Sequence, residues 1–153
     1  MNWIYVEATK VINARPADIY SVLSDYKVGH PAILPKPYFL SLEVEKGGVG
    51  EGTITRLHMK VMGKDYHYRQ MVTEPEPGRV LVETDMETGQ ASWFTFDPVA
   101  GGSQTRLTIS AKFPGQGGIV GVMEKFVHQL FTRKLFNTEL DNIAAYMQQK
   151  QVV

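Results

Sequence analysis

Residues 114–131 read Pro114-Gly115-Gln116-Gly117-Gly118-Ile119-Val120-Gly121-Val122-Met123-Glu124-Lys125-Phe126-Val127-His128-Gln129-Leu130-Phe131. The first five are turn formers. After them the apolar positions recur at three- and four-residue spacing, the period of an α-helix. Leu140, Ile143, Ala144 and Met147 continue that period, so the spacing predicts one helix from about Gly118 to Gln149 with its apolar residues mainly on one side. About thirty residues at 1.5 Å per residue span roughly 45 Å, enough to cross a small domain. An apolar stripe of that length needs an equally long dry surface to lie along.

That surface is written upstream. From Tyr38 onward the chain consists of short extended runs bounded by glycine or proline, the punctuation of an antiparallel meander of five or six strands. Leu40, Leu42 and Val44 alternate with Ser41, Glu43 and Glu45, and Leu57, Met59 and Val61 alternate with Arg56, His58 and Lys60, giving one dry and one wet face. Turns are expected at Met62-Gly63-Lys64-Asp65, Pro75-Glu76-Pro77-Gly78, Glu87-Thr88-Gly89-Gln90 and Gly101-Gly102-Ser103. Before the meander, residues 3–13 read as a first strand rich in aromatic and β-branched side chains, and Pro16 opens a short amphipathic helix ending near Tyr26. The three prolines at 31, 35 and 37 allow at most one further helical turn, followed by a mobile apolar loop.

Composition narrows the function. The 153 residues carry sixteen Lys+Arg against sixteen Asp+Glu and no cysteine. A balanced charge without a basic stretch lacks the field that neutralises phosphates, so no nucleic-acid partner is expected. Without cysteine there is no disulfide, no thiolate nucleophile and no Cys-based metal site. No apolar run approaches the roughly 18 residues of a membrane span, and the first residues lack a signal-peptide pattern, so membrane insertion is not expected and the cytoplasm is the expected location. With no repeat, linker or charge block, residues 1–153 are read as one domain, monomeric or a homodimer.

Three segments carry a family resemblance: the opening Val11 to Tyr26, the glycine loop Glu45-Lys46-Gly47-Gly48-Val49-Gly50-Glu51-Gly52-Thr53, and the turn Glu74-Pro75-Glu76-Pro77-Gly78-Arg79-Val80-Leu81. In these the chain resembles the SRPBCC superfamily, which gathers START lipid-transfer domains, Bet v 1-like plant allergens and bacterial polyketide cyclase/dehydrase-like proteins. The resemblance covers nearly the whole length. It implies an α+β helix-grip fold: a curved antiparallel sheet of about seven strands around a long C-terminal helix, two short helices after the first strand, and a ligand cavity between. It does not transfer a reaction, since one fold supports many activities.

Within that frame the candidate cavity residues, chosen by alternation and helical period, are Leu57, Met59, Tyr66, Tyr68, Val82, Phe94, Phe96, Ile109, Met123, Phe126, Val127 and Leu130. Most apolar side chains on such faces are packed core, and a register error of one residue reverses a whole strand. Tyr66, Tyr68 and Gln70 share one face of their strand, and the two tyrosines are candidates for ligand hydrogen bonds or proton transfer, although a tyrosine bonded to a neighbouring strand is the commoner case. His30, beside the proline-rich loop near the expected entrance, is the one histidine of interest, whereas His58 shares the wet face of Arg56 and Lys60. The four histidines show no paired metal-ligand spacing, so no metal and no cofactor are expected. Glu83 and Asp85 alternate with Val80 and Val82 and are read as solvent-facing. The glycine loop lacks the Lys-Ser/Thr ending and following helix of a phosphate cradle and is read as a tight turn at the cavity rim. The expected ligand is a hydrophobic small molecule, lipid-, sterol- or polyketide-like. The other readings are a cyclase/dehydratase-like enzyme acting through Tyr66, Tyr68 or His30, and an interaction module whose groove holds a protein.

Overall fold

The computed structural model describes residues 2–115 and 117–152. Strand β1 (Trp3–Ile12) leads through Ala14 into helix α1 (Pro16–Leu23), and a short helix α2 (Gly29–Ile33) follows. Then come β2 (Phe39–Lys46), β3 (Ile54–Val61), β4 (Lys64–Glu76), β5 (Val80–Asp85), β6 (Ala91–Val99) and β7 (Gln104–Pro114), and finally helix α3 (Gly118–Val152). The seven strands form one antiparallel sheet in the order β1-β7-β6-β5-β4-β3-β2. The architecture is the helix-grip fold expected from the sequence.

Pro16 occupies the first turn of α1, where a missing N–H leaves no bond unmade, and Ile19, Tyr20, Val22 and Leu23 point inward. Helix α1 stops at Leu23, three residues before the expected Tyr26. Gly29 explains how α2 fits against it: a Cβ there would lie 2.3 Å from the Val22 carbonyl oxygen. The one further helical turn allowed by the prolines is α2, in which His30 and Ile33 are buried. The glycine loop is likewise scaffold and lies off the cavity rim. Tyr26 N donates to Gly48 O at 2.8 Å and Gly50 N to Ser24 O at 2.9 Å, so the loop clasps the end of α1. Gly50 is needed there, with φ +66° and the Glu74 carboxylate 2.4 Å from where a Cβ would stand. Glu74 also accepts from Tyr20 Oη at 2.6 Å and from Glu51 N at 2.6 Å, tying helix, loop and strand β4 together.

Helix α3 runs along the β1 edge of the sheet. Gln129 Nε2 donates to Tyr5 O at 2.9 Å and Gln151 Nε2 to Asn13 O at 2.8 Å, while Lys10 pairs with Asp141 at 3.2 Å. Gln129 thereby occupies a carbonyl of β1 and Gln151 one just past its end, covering an edge that would otherwise invite a foreign strand. The filled core lies under α1, α2 and the second half of α3, where Ile19, Leu23, Ile33, Phe96, Leu107, Leu140 and Ile143 are fully buried. The first half of α3 has no such packing, and Met123, Phe126 and Leu130 are more than half exposed. Beneath it, toward β3 and β4, the space stays open.

Two strands differ in facing from the simple alternation. A register shift between Phe39 and Ser41 in β2 turns Leu40 outward, 51% exposed, and brings Phe39 in instead. In β5, Leu81 pairs with Phe94 and Glu83 with Ser92, so the inward face belongs to Leu81 and Glu83 rather than Val80 and Val82. Glu83 and Asp85 are therefore buried, not solvated. Asp85 is used locally: its carboxylate accepts from Arg69 N, Thr88 N and Thr88 Oγ1 at 3.1, 2.9 and 2.7 Å, which fixes the turn after β5.

Candidate functional site

Between the sheet and the first half of α3 lies a cavity of about 290 Å³. Strand β3 supplies Leu57, Met59 and Val61 to its wall, every second residue, as the pleat requires. Strand β4 supplies Tyr66, Tyr68 and Gln70 from the same face, with the two tyrosine rings parallel and their centroids 6.4 Å apart. From α3 come Val127, Phe131, Leu135 and Glu139 on one row and His128, Thr132 and Phe136 on the next. Met62, 84% exposed, stands at the mouth.

The floor is polar and titratable. His30 of α2 is 2% exposed; its Nδ1 is 2.7 Å from Leu23 O, an oxygen that only accepts, so Nδ1 carries the hydrogen. Its Nε2 faces Glu83 Oε2 at 3.3 Å. The ring is held flat against Tyr26, with centroids 4.5 Å apart, and edge-on to Phe94 at 5.6 Å. Glu139 of α3 enters the same space and is 4% exposed. Burial first, and the charge of Glu83 second, push its carboxyl pKa up to about 8. The Tyr26 hydroxyl is buried without a hydrogen-bond partner among the described residues, and burial together with the nearby Glu83 carboxylate pushes its pKa well up. Ser92 and Thr132 complete the polar floor. Among the described residues no lysine or arginine lines the cavity.

Of the residues singled out in the sequence, Leu57, Met59, Tyr66, Tyr68, Phe94, Ile109 and Val127 line the cavity. Val82 does not, because the phase of β5 sends it to the outer face beside Trp93. Phe96 points inward but two residues further along β6, where Tyr20 packs edge-on at 4.9 Å and the core is solid. Phe126 and Leu130 lie on the solvent side of α3, rotated away from the Val127–Phe131–Leu135 row at 100° per residue, while Met123 continues that row one turn toward the start of α3, outside the cavity lining and 67% exposed. His30 sits at the floor rather than at an entrance. His58 is outside the cavity, stacked on His67 at 4.2 Å and bonded to Asp65 at 2.8 Å.

Sequence reasoning passed over Glu139, Thr132 and Phe136 and read Glu83 as solvent-facing. For Glu139 a signal existed. It is three residues after Phe136, four after Leu135 and four before Ile143, so it falls inside the apolar stripe, where a carboxylate calls for a reason. For Glu83 no comparable signal exists, since Val80, Leu81 and Val82 are apolar on both faces.

Residues 4–148 match the model of a family described as polyketide cyclase/dehydrase and lipid transport. A search of curated proteins finds no match to the sequence. Among solved structures, the KanY protein superposes with a TM-score of 0.82 at 24% identity, covering 97% of this chain and 99% of that one. The Zhui aromatase/cyclase from Streptomyces sp. R1128 superposes at 0.74 with 17% identity over 97% and 96% of the two chains. A START superfamily protein from Mycobacterium smegmatis gives 0.64 with 18% identity over 97% and 99%. At these identities the superpositions speak for the fold alone.

Proposed function

The chain belongs to the polyketide cyclase/dehydrase and lipid transport family, and we propose that its 153 residues work as one domain that binds an apolar small molecule between the sheet and helix α3. The observation that carries this reading is the cavity itself, about 290 Å³, with walls of Leu, Met, Val, Phe and Tyr and a few polar groups gathered at one end. That is near the lower end of the volumes that ligand sites occupy, and the division of labour is the usual one: apolar walls supply affinity and the polar end sets orientation. Burial of a hydrocarbon tail is worth about 25 cal/mol per Å² removed from water, so even 200 Å² of ligand surface yields about 5 kcal/mol before association costs. Native mass spectrometry of protein purified without denaturation, followed by displacement of an environment-sensitive apolar dye, tests it. Retained mass or displacement by small lipids and aromatic polyketides is the expected result. A protein that binds neither dye nor any such compound, with Phe94→Ala and Leu57→Ala behaving like wild type, overturns it.

A cyclase-like enzyme is the second reading, favoured by the convergence of His30, Glu83 and Glu139 on the cavity floor, where a neutral carboxyl and an imidazole can hand protons to a bound substrate. Turnover of any bound compound, lost in His30→Gln and Glu139→Gln while binding persists, distinguishes it from a carrier.

A further inference from the structure

The cavity holds two acidic side chains on opposite walls. Glu83 projects from β5; its Oε2 faces His30 Nε2 at 3.3 Å, and the Tyr26 hydroxyl lies beside the same carboxylate. Glu139 projects from α3 and is bonded to no other described residue, although it is 4% exposed and lines the cavity. No Lys or Arg among the described residues reaches the same space. The other titratable groups around Glu139 are His30 on α2, Tyr26 on the α1–α2 connection, Tyr66 and Tyr68 on β4, and His128 further up α3 itself. A carboxyl buried without a partner is a poor structural element, because an unsatisfied polar group in the interior costs free energy that an apolar side chain of similar size would not. Among the described residues Glu139 has no partner and Glu83 only His30 and Tyr26 beside it, so both gain hydrogen bonds when a donor enters between them.

We propose that this floor recognises the protonated amine of an apolar, amine-bearing ligand, with Glu139 and Glu83 accepting its N–H groups and the tail lying along Leu57, Phe94 and Phe131. An ammonium is the donor that fits best. It offers three N–H groups to acceptors on two walls, and its positive charge offsets the repulsion between the two carboxylates. A ligand ending in a carboxylate meets like charge, with no lysine or arginine among the described residues to receive it. The burial and like charge that keep a proton on Glu139 in the empty cavity are relieved by the ammonium, so amine binding releases that proton to solvent.

The inference rests on the cavity being a ligand site, and its test separates the two. Titration calorimetry with n-octylamine, n-octanol and octanoate compares one tail with three headgroups. At pH 7 the amine is expected to bind at least about tenfold more tightly than the alcohol, and octanoate more weakly than either. Measured in two buffers of different ionisation enthalpy, amine binding releases close to one proton, and amine affinity rises by up to about tenfold per pH unit between pH 6 and 7.5 while alcohol affinity stays flat. In Glu139→Gln the ratio of amine to alcohol affinity collapses toward one and the proton release disappears. The buffer and pH measurements use the wild-type protein, so they stand if the variant folds poorly. If octanol and octanoate bind as well as octylamine, or amine binding releases no proton, the headgroup assignment fails and the cavity reading survives. If none of the three binds, both fail.

Discussion

Replacing Glu139 by Gln changes one oxygen for one nitrogen and removes the ability to ionise, so its effect on stability against pH isolates the buried carboxyl. In the folded protein the Glu139 pKa is pushed up to about 8 from an ordinary value of 4.5, chiefly by burial. Unfolded, the same group titrates near 4.5. Between those two pH values the folded state binds the proton and the unfolded state does not, so the unfolding free energy falls as pH rises, by about 1.36 kcal/mol per unit at 25 °C. The favourable contribution of the neutral carboxyl is complete below about pH 4.5 and is lost as pH climbs to 8. From pH 5 to pH 8 the wild type is therefore expected to lose about 3–4 kcal/mol that Glu139→Gln does not lose. Urea unfolding of both proteins followed by circular dichroism at half-unit pH steps reads the difference, and the other titrating groups largely cancel because both chains carry them. A stability difference that stays constant within about 1 kcal/mol across that range refutes the reasoning. It would mean that water entering from the Met62 mouth hydrates the carboxylate and that the helix places no buried acid there.

Other substitutions probe the scaffold and the walls. Gly29→Ala drives a methyl to 2.3 Å from the Val22 carbonyl oxygen and is expected to destabilise by about 1–3 kcal/mol in chemical denaturation, as overpacking does. Tyr20→Phe removes the 2.6 Å bond to the Glu74 carboxylate at the junction of α1, the glycine loop and β4, and a loss of about 1–2 kcal/mol is expected in the same assay. Phe126→Ser and Met123→Ser alter side chains 64% and 67% exposed, so apolar-dye binding should be unchanged and stability should move by no more than about 0.5 kcal/mol. Phe131→Ala, one turn along and facing the cavity against Tyr38, should weaken dye binding several-fold; equal behaviour of positions 126 and 131 would contradict the rotation of α3 described above.

Much of the framework was legible before any coordinates. The helical period after Gly118, the alternation in β3 and the turn residues between strands each follow from a local rule, and together they give a first strand, a meander of five or six more and a long helix, with the family resemblance implying about seven strands in all. Leu57, Met59, Tyr66 and Tyr68 were placed correctly on the cavity wall because β3 and the cavity-facing part of β4 pair without a bulge, so period two holds along them. Leu40 failed where β2 slips its register against β3, and Val82 failed because β5 is apolar on both faces and its phase is set by pairing to β6.

The sequence by itself determined the order of elements and their dry faces, because these depend on side-chain period and on backbone preferences within a few residues. Tertiary structure decided that α3 lies along the β1 edge instead of over the middle of the sheet, since that position is fixed by contacts more than a hundred residues apart, such as Gln129 with Tyr5 and Gln151 with Asn13. From that offset follow the open space beneath its first half, the solvent exposure of Met123, Phe126 and Leu130, and the meeting of His30, Glu83 and Glu139 from three separate elements. A site assembled across such distances leaves no spacing in the chain to read, because what brings its members together is the packing of whole elements.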